Sequence, residues 1–393
     1  MSVSVDGIKL SAINCGIKQD KTDLVLIEAC EGATMAGVFT QNAFCAAPVH
    51  IAKQHLADAA CRYLLINSGN ANCGTGEHGF VAANASCAAI ANAAGVDAAQ
   101  VLPFSTGVIG EPLPYEKIEA AASEALNKLS ADSWSLAAEG IMTTDSYPKL
   151  ESVSVDLSSG TVKIIGMSKG AGMIKPNMAT MLGYVATDAT ISQTVLQQLI
   201  NEATEKSFNR ITVDGDTSTN DACMLIATGR SHEVLPSTED YVIFKNALDA
   251  LFLKLAQHII RDGEGATKFV EVAVEGGNSS EECLKVAYAI AESPLVKTAI
   301  FAQDANWGRI LAAAGRSGIE SFDVSKVQIR LNDVLIVDQG GRAASYTEEA
   351  GTEAMRADEI KISISLNRGS VNESVYTTDF SYDYVKINAE YRS

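Results

Sequence analysis

Short apolar stretches rich in β-branched residues alternate with helix-like patterns along most of this chain of 393 residues. Residues 63–67 predict a buried strand, and a helix is expected from about Phe80 to the glycine at position 95. The alternating segment 151–165 predicts a hairpin that turns at residues 158–160. The last sixty residues are interpreted as strand-rich, including YDYVKINAEY at 382–391. No proline- or serine-rich linker interrupts the pattern, so the sequence favours a mixed α/β fold in a single body.

The charge balance limits the partners of such a chain. Thirty basic and 48 acidic side chains give a formal net charge of −18, which repels phosphate backbones and anionic lipid. No apolar run approaches the roughly 18–20 residues of a membrane span. Residues 1–18 also lack the apolar core of a signal peptide. We therefore expect a soluble, cytoplasmic protein that binds neither nucleic acid nor membrane.

The cysteines and histidines show no metal-binding pattern. The eight cysteines form no C-x-x-C pair, and the five histidines form no H-E-x-x-H motif. Many cysteines are flanked by alanine, leucine or methionine, which is typical of small buried thiols in a reducing compartment. We expect no metal and no bound cofactor.

One segment, residues 167–182 (MSKGAGMIKPNMATML), has the composition of a processing site. Thr180 follows the small Ala179, and no histidine or carboxylate near it in sequence could activate its hydroxyl. Cleavage between Ala179 and Thr180 would give Thr180 a free α-amine with a pKa of about 7.7–8.0, a competent base near neutral pH. A strand is expected directly afterwards, from Met181 to Thr187. The sequence therefore predicts a self-processed enzyme whose nucleophile is the amino-terminal Thr180.

Two motif matches offer other functions. Residues 74–79 (GTGEHG) fit the dinucleotide-binding pattern G-x-G-x-x-G, but no acidic residue ends a second strand about 20 residues later. A tight loop with close backbone approach explains these glycines better. Residues 166–170 (GMSKG) fit the G-x-S-x-G elbow of serine hydrolases, with His258 as a distant base. The glycines and Pro176 that follow Ser168 disfavour the helix that an elbow requires.

Three polar loops are further candidates for the site. The dipeptide Thr106–Gly107 follows a strand-like segment, and a glycine N–H with a threonine hydroxyl can hold a developing oxyanion. Residues 214–221 (DGDTSTND) are dense in small polar groups, and residues 262–265 (DGEG) carry carboxylates in a glycine-flanked bend. Their acidic oxygens could receive a substrate ammonium. An ordinary turn and solvated loops remain the alternatives.

Several long segments together resemble the ornithine acetyltransferase family (glutamate N-acetyltransferase) of arginine biosynthesis. They include INSGNAN (66–72), STGVIGEPLP (105–114), IMTTD (141–145), KGAGMIKPNMATML (169–182), SFNRITVDGDTSTND (207–221) and RDGEGATKF (261–269). The resemblance extends over nearly the whole chain. It implies a layered α/β sandwich that cleaves itself into an alpha chain, residues 1–179, and a beta chain, residues 180–393. The two chains would form one intertwined body and associate as an α2β2 heterotetramer.

The resemblance also implies the chemistry. The family moves the acetyl group of N2-acetyl-L-ornithine to L-glutamate through an acetyl-threonine in a ping-pong mechanism, and some members also use acetyl-CoA as a co-substrate. By this match Thr180 is the nucleophile, and Thr106 and Gly107 form the oxyanion hole. The implied substrate contacts are Thr143, Lys169, Thr180, Glu264, Asn388 and Ser393.

Two points in this match stay open, and one other activity competes with it. Thr144 is adjacent to Thr143, so either threonine could be the contact. Family members more often end in threonine than in the Ser393 found here, but a hydroxyl and a terminal carboxylate are retained. The alternative function is an amino-terminal-nucleophile aminopeptidase or hydrolase, in which water rather than glutamate resolves the acyl-enzyme.

Overall fold

The computed structural model describes residues 4–175 and 181–390, and these divide into two compact units. The first comprises the described parts of Met1–Asn209 and Asp216–Ile259. The second comprises Arg210–Gly215 and the described part of Ile260–Ser393. The sequence favoured one body because it has no linker. The chain passes from one unit to the other on either side of Arg210–Gly215 and again after Ile259, near the end of a long helix.

The first unit contains two β-sheets and the helices that cover them. Its strands are β1 (Ile8–Ile13), β2 (Leu24–Ala29), β3 (Thr34–Phe39), β4 (Tyr63–Asn70), β5 (Val101–Val108), β6 (Lys149–Leu157), β7 (Gly160–Lys169), β8 (Leu182–Thr187) and β9 (Ala222–Ala227). Its helices are α1 (Ala47–Asp58), α2 (Glu77–Ala94), α3 (Tyr115–Asn127), α4 (Trp134–Gly140), α5 (Gln193–Glu205) and α6 (Glu239–Arg261), the last of which ends in the second unit. The sheet orders are β1-β2-β4-β5 and β3-β9-β8-β7-β6. The pairs β4/β5 and β8/β9 are parallel, and the others are antiparallel.

The two sheets of the first unit pack face to face. Alternate residues of a strand point to opposite faces of its sheet, so one set faces the other sheet and the next set faces the helices. Val25 and Ile27 of β2 join a core that also contains buried residues of β7, β8 and β9. Their neighbours Leu24 and Leu26 pack instead with buried residues of α2 and α3. On the other sheet, Gly166 of β7 lies against leucines of α6. The first unit is therefore a layered α/β sandwich, as the resemblance implied, with α2 and α3 on the outer face of one sheet and α6 on the outer face of the other.

The second unit is one mixed sheet with helices. Its strands are β10 (Phe269–Gly277), β11 (Gln328–Leu331), β12 (Val334–Asp338), β13 (Gly341–Arg342), β14 (Glu359–Ser365) and β15 (Val371–Thr378), in the order β13-β12-β11-β14-β10-β15. Its helices are α7 (Ser280–Ala291), α8 (Pro294–Phe301), α9 (Trp307–Gly315), α10 (Glu348–Met355) and α11 (Tyr382–Ala389). Valines of β10 and isoleucines of β14 form one core with α7 to α10. No helix in the described part of either unit is long and apolar enough to cross a membrane.

Most local predictions are confirmed, and one strand prediction is wrong. The hairpin β6–β7 turns at residues 158–159, and α2 ends at Gly95, whose φ of +71° is a left-handed cap. The segment predicted as a final strand, YDYVKINAEY, is instead the helix α11 over most of its length. Its alternating aromatic and β-branched residues imitate a strand, but the Ser381 hydroxyl caps the helix by accepting from the Tyr384 N–H at 3.3 Å.

Candidate active site

Three of the predicted site residues, Lys169, Thr143 and Thr106, lie together in the first unit. Lys169 is the last residue of β7, and its Nζ lies 2.7 Å from the Thr143 hydroxyl and 3.2 Å from the Thr106 hydroxyl. Thr106 belongs to β5, and Thr143 follows α4. Thr144, the other candidate for the substrate contact, is exposed.

A buried carboxylate, Asp145, stands between Lys169 and a second lysine. Its Oδ1 accepts from Lys149 Nζ at 2.6 Å and from the Gly170 N–H at 2.7 Å, and its Oδ2 lies 4.0 Å from Lys169 Nζ. The Thr143 N–H also donates to Oδ2, at 2.9 Å. Burial alone would raise the pKa of Asp145, but the charges of Lys169 and Lys149 outweigh it and hold the pKa well below its usual range. Asp145 therefore stays ionised and fixes both Lys169 and the backbone of Thr143.

The Thr106–Gly107 dipeptide has a backbone that only glycine can supply. Gly107 has a φ of +135°, and a Cβ there would lie 2.3 Å from the carbonyl carbon of Gly69 and 2.5 Å from the Asn70 nitrogen. The parallel strands β4 and β5 therefore approach closely because position 107 carries no side chain. This arrangement gives the Thr106 hydroxyl and the Gly107 amide a rigid support.

Lys18 is a cation of this region that the sequence analysis did not single out. Its Nζ donates to the carbonyl of Met142 at 2.7 Å, next to Thr143, and its side chain packs against Gly69, which pairs with Gly107. Burial lowers the pKa of Lys18 to about 8; Asp23 opposes that shift and Lys169 adds to it. No sequence signal marked Lys18. Asp145, in contrast, lies inside the quoted segment IMTTD, two residues after Thr143.

Two further predicted residues meet in the second unit. The Asn388 side-chain amide, on α11, donates to Glu264 Oε2 at 2.9 Å, and Glu264 is largely buried. Gly265 lets α11 lie this close, because a Cβ at that position would be 2.4 Å from the Tyr384 nitrogen. Asn388 thus orients the Glu264 carboxylate. The remaining predicted residues, Ala179, Thr180 and Ser393, lie outside the described residues.

The two competing motifs have structural explanations. The glycines of residues 74–79 shape the loop before α2: Gly74 and Gly76 have φ values of +75° and +59°. Ser168 of the G-x-S-x-G match lies buried within β7 and donates to the Leu255 carbonyl at 3.4 Å, so it is not on a strand-to-helix elbow. Its suggested base, His258, instead forms a hydrogen bond with Glu151: the two atoms, His258 Nε2 and Glu151 Oε1, are 2.8 Å apart.

Comparison with known proteins assigns the family. The model of the ArgJ family matches residues 9–393. The arginine biosynthesis bifunctional protein ArgJ of Pseudomonas syringae pv. tomato is 56% identical over 395 residues, which is 99% of this chain and 97% of that protein. The protein of the same name from Psychrobacter arcticus is 56% identical over 393 residues, again with 99% and 97% coverage. A crystal structure of arginine biosynthesis bifunctional protein argJ from Bacillus halodurans matches 52% of this chain and 96% of its own, with 42% identity and a TM-score of 0.50. The chain belongs to the ArgJ family.

Proposed function

We propose that this chain transfers the acetyl group of N2-acetyl-L-ornithine to L-glutamate in arginine biosynthesis, and that it also accepts acetyl-CoA as a donor. Relatives that are 56% identical over 99% of the chain are named arginine biosynthesis bifunctional proteins, and this likeness carries the proposal. The cluster of Lys169, Thr143 and Thr106 gives it a chemical basis in the first unit. The products are ornithine and N-acetylglutamate.

The proposed enzyme first cuts itself between Ala179 and Thr180. The Thr180 hydroxyl attacks the Ala179 carbonyl, the peptide C–N bond breaks, and the α-amine of Thr180 is released as the acyl group moves to oxygen. Water then hydrolyses the ester and leaves a carboxylate on Ala179. The solved argJ structure supports cleavage into two chains. Its matching chain is about half as long as this one, since 52% of this chain accounts for 96% of that chain. Residues 180–393 make up a similar fraction, a little over half.

The proposed transfer uses the amine that cleavage releases. The α-amine of Thr180 takes the hydroxyl proton as the oxygen attacks the acetyl carbonyl of N2-acetyl-L-ornithine. The Thr106 hydroxyl and the Gly107 N–H stabilise the oxyanion, and the loss of one such donor typically costs about 2.7–4 kcal/mol of activation free energy. Ornithine leaves with the proton. The amine of glutamate then attacks the acetyl-threonine ester and regenerates Thr180.

Charged groups fit the two amino acids. Both substrates carry an α-carboxylate, for which the ammonium of Lys169, held by Thr143 and Asp145, is a suitable anchor. Ornithine also carries a side-chain ammonium, for which the Glu264 carboxylate is a partner. We assign Asn388 to the orientation of Glu264, and Ser393 to a further substrate contact.

The proposal also covers the association of the two chains, their location in the cell and the lack of a bound cofactor. The two chains come from one precursor, and we expect them to associate as α2β2 in the cytoplasm. The mechanism uses an acetyl-threonine and two amino acids, so we propose no bound cofactor and treat acetyl-CoA as a substrate. We expect neither nucleic acid nor membrane as a partner.

Intact-mass spectrometry under denaturing conditions tests the nucleophile. The wild type should give two species, one ending at Ala179 and one beginning at Thr180, and Thr180→Ala should give one uncut, inactive chain. Thr144→Ala is the matched control, since this exposed threonine should leave cleavage unchanged. An active, uncut Thr180→Ala protein would refute the mechanism.

A second assay tests the acyl acceptor. With N2-acetyl-L-ornithine labelled in its acetyl group, the label should appear on glutamate. Label released as acetate in the presence of glutamate would instead support the hydrolase alternative, in which water resolves the acyl-enzyme.

A further inference from the structure

Residues 217–221 belong to the polar loop at 214–221, for which a solvated loop was one of the sequence interpretations. Neighbouring polar groups hold them in place. Thr219, Asn220 and Asp221 are buried. The Thr40 hydroxyl donates to the Ser218 carbonyl at 2.8 Å, and the Asn42 amide donates to the Thr217 carbonyl at 2.8 Å. These bonds hold the loop against the chain that follows β3. The loop is therefore a fixed structural element.

This loop holds the chain on the amino-terminal side of the proposed cleavage site. The Thr217 hydroxyl donates to the carbonyl of Lys175 at 3.0 Å. Lys175 lies four positions before Ala179. One end of the loop is thus bonded to the segment that would become the end of the alpha chain.

The other end of the loop holds the carboxyl-terminal side. The Ala222 N–H donates to the Met181 carbonyl at 3.0 Å, and the Met181 N–H is a hydrogen-bond partner of the adjacent Asp221 carboxyl. The Met181 nitrogen belongs to the peptide bond that joins it to Thr180, so Asp221 binds the first amide after the proposed nucleophile. Asp221 is only 2% exposed, and its Oδ2 makes no hydrogen bond within the described residues.

The residue between these contacts ties the loop to the proposed oxyanion hole. The Asn220 amide donates to the carbonyl of Ala71 at 2.6 Å and to that of Ser105 at 3.0 Å. Ser105 directly precedes Thr106 in β5. The Thr219 hydroxyl in turn donates to Asn220 Oδ1 at 2.7 Å. The loop therefore connects both flanks of the cleavage segment to the strand that carries Thr106 and Gly107.

We propose that residues 217–221 form a clamp that holds the chain at Lys175 and at Met181, on the two sides of the proposed cleavage site, with Thr217 and Asp221 as positioning residues for cleavage and for the nucleophile. The proposal rests on the proposed function, in which Thr180 is the nucleophile. Attack of a hydroxyl on a carbonyl needs the reacting atoms about 3–3.5 Å apart, and a misplacement of about 1 Å can cost about 100-fold in rate. Anchors on both sides of the segment reduce such misplacement.

The two anchors serve different steps. Cleavage separates Lys175 from Thr180 covalently, so the Thr217 contact aligns the peptide bond only until it is cut. Met181 stays bonded to Thr180 afterwards, so Asp221 positions the nucleophile in cleavage and in every turnover. Thr217 variants should therefore change cleavage alone, whereas Asp221 variants should change cleavage and kcat.

The test measures cleavage of newly synthesised precursor over time by denaturing mass spectrometry, and then kcat and KM of the processed fraction. Thr217→Val keeps the shape but removes the hydroxyl, and should slow cleavage at least 10-fold while kcat and KM of the processed enzyme stay within 2-fold. Thr161→Val is the matched control: that exposed hydroxyl bonds only within the hairpin, to Asp156, in the described structure, and its loss should leave cleavage unchanged.

Asp221 is tested with a conservative and a truncating variant. Burial raises the pKa of Asp221 well above its usual range, against the opposing effects of Ser218, Lys169 and the Met181 N–H, so an amide is a close mimic of this carboxyl. Asp221→Asn keeps an acceptor and should stay within about 5-fold of wild type in cleavage and kcat. Asp221→Ala should lower both at least 10-fold with little change in KM.

The outcomes separate the clamp from the proposed function. Wild-type cleavage rates in folded Thr217→Val would overturn the clamp, as would an equal loss of kcat in its processed fraction, which indicates a general structural defect. If Asp221→Ala fails to fold, the Thr217→Val result decides. A wild type that is never cut at Ala179 refutes the proposed nucleophile itself, whereas a cut wild type with normally cut variants refutes only the clamp.

Discussion

Replacing Gly107 with alanine tests the proposed oxyanion hole most directly. The added methyl group would lie 2.3 Å from the Gly69 carbonyl carbon and 2.5 Å from the Asn70 nitrogen. Both neighbours are backbone atoms in the paired strand β4, and ordinary contacts begin near 3.4 Å. The strands β4 and β5 must therefore separate by about 1 Å at this point, which moves the amide of residue 107 and the adjacent Thr106 hydroxyl.

The magnitude follows from this displacement. A shift of about 1 Å in a positioned group can cost about 100-fold in rate. The loss of one oxyanion donor costs about 2.7–4 kcal/mol, or roughly 100- to 1,000-fold in kcat. The φ of +135° adds backbone strain of about 1–3 kcal/mol for any side chain. We therefore expect Gly107→Ala to lose at least 100-fold in kcat and to be less stable by a few kcal/mol.

The assay follows labelled acetyl transfer to glutamate in protein whose cleavage state has been checked by mass spectrometry. Gly95→Ala is the matched control, because Gly95 also has a positive φ, +71°, but among the described residues no atom beyond its chain neighbours and its own helix lies within 4 Å of the added methyl group. This control should lose about 1 kcal/mol of stability and no activity. A folded, processed Gly107→Ala enzyme with wild-type kcat would refute the assignment of this amide.

Three further predictions concern buried charges. Asp145→Asn leaves Lys149 buried without its anion and should lower the free energy of unfolding, measured with urea, by about 3–5 kcal/mol. Adding Lys149→Met should recover part of this loss, and an unchanged urea midpoint for Asp145→Asn would contradict the prediction. Glu264→Gln retains an acceptor for Asn388 but removes the charge, so KM for N2-acetyl-L-ornithine should rise at least 10-fold while KM for glutamate, the internal control, stays constant. Burial lowers the pKa of Lys297 from 10.5 to about 7. Between about pH 7 and pH 10.5 the unfolded state therefore binds more protons than the folded state. The free energy of unfolding, compared with that of Lys297→Met, should rise over this range by up to about 1.4 kcal/mol per pH unit. A difference in unfolding free energy that stays flat with pH would exclude this role of Lys297.

The sequence by itself determined the local elements and the family. The alternation of residues 151–165 and the glycine at 95 specify a hairpin and a helix end through contacts between near neighbours, and both are confirmed. The same local logic failed at YDYVKINAEY, where an alternating pattern forms the helix α11. A strand needs a partner from elsewhere in the chain, and a helix makes its hydrogen bonds within itself, so the choice there depended on whether a neighbouring strand was available.

Only the tertiary structure decided which residues act together. Lys169 meets Thr106 and Thr143 across 63 and 26 positions of sequence, through the packing of two sheets that no local pattern specifies. Asp145 became a central anion because folding placed two lysines beside it. The loop at 217–221 looked solvated because small polar residues are typical of surface turns, yet the folded chain around it supplies the bonds that bury it. Residue types determine which chemistry is available, whereas long-range packing determines which of those groups come within reach of one another.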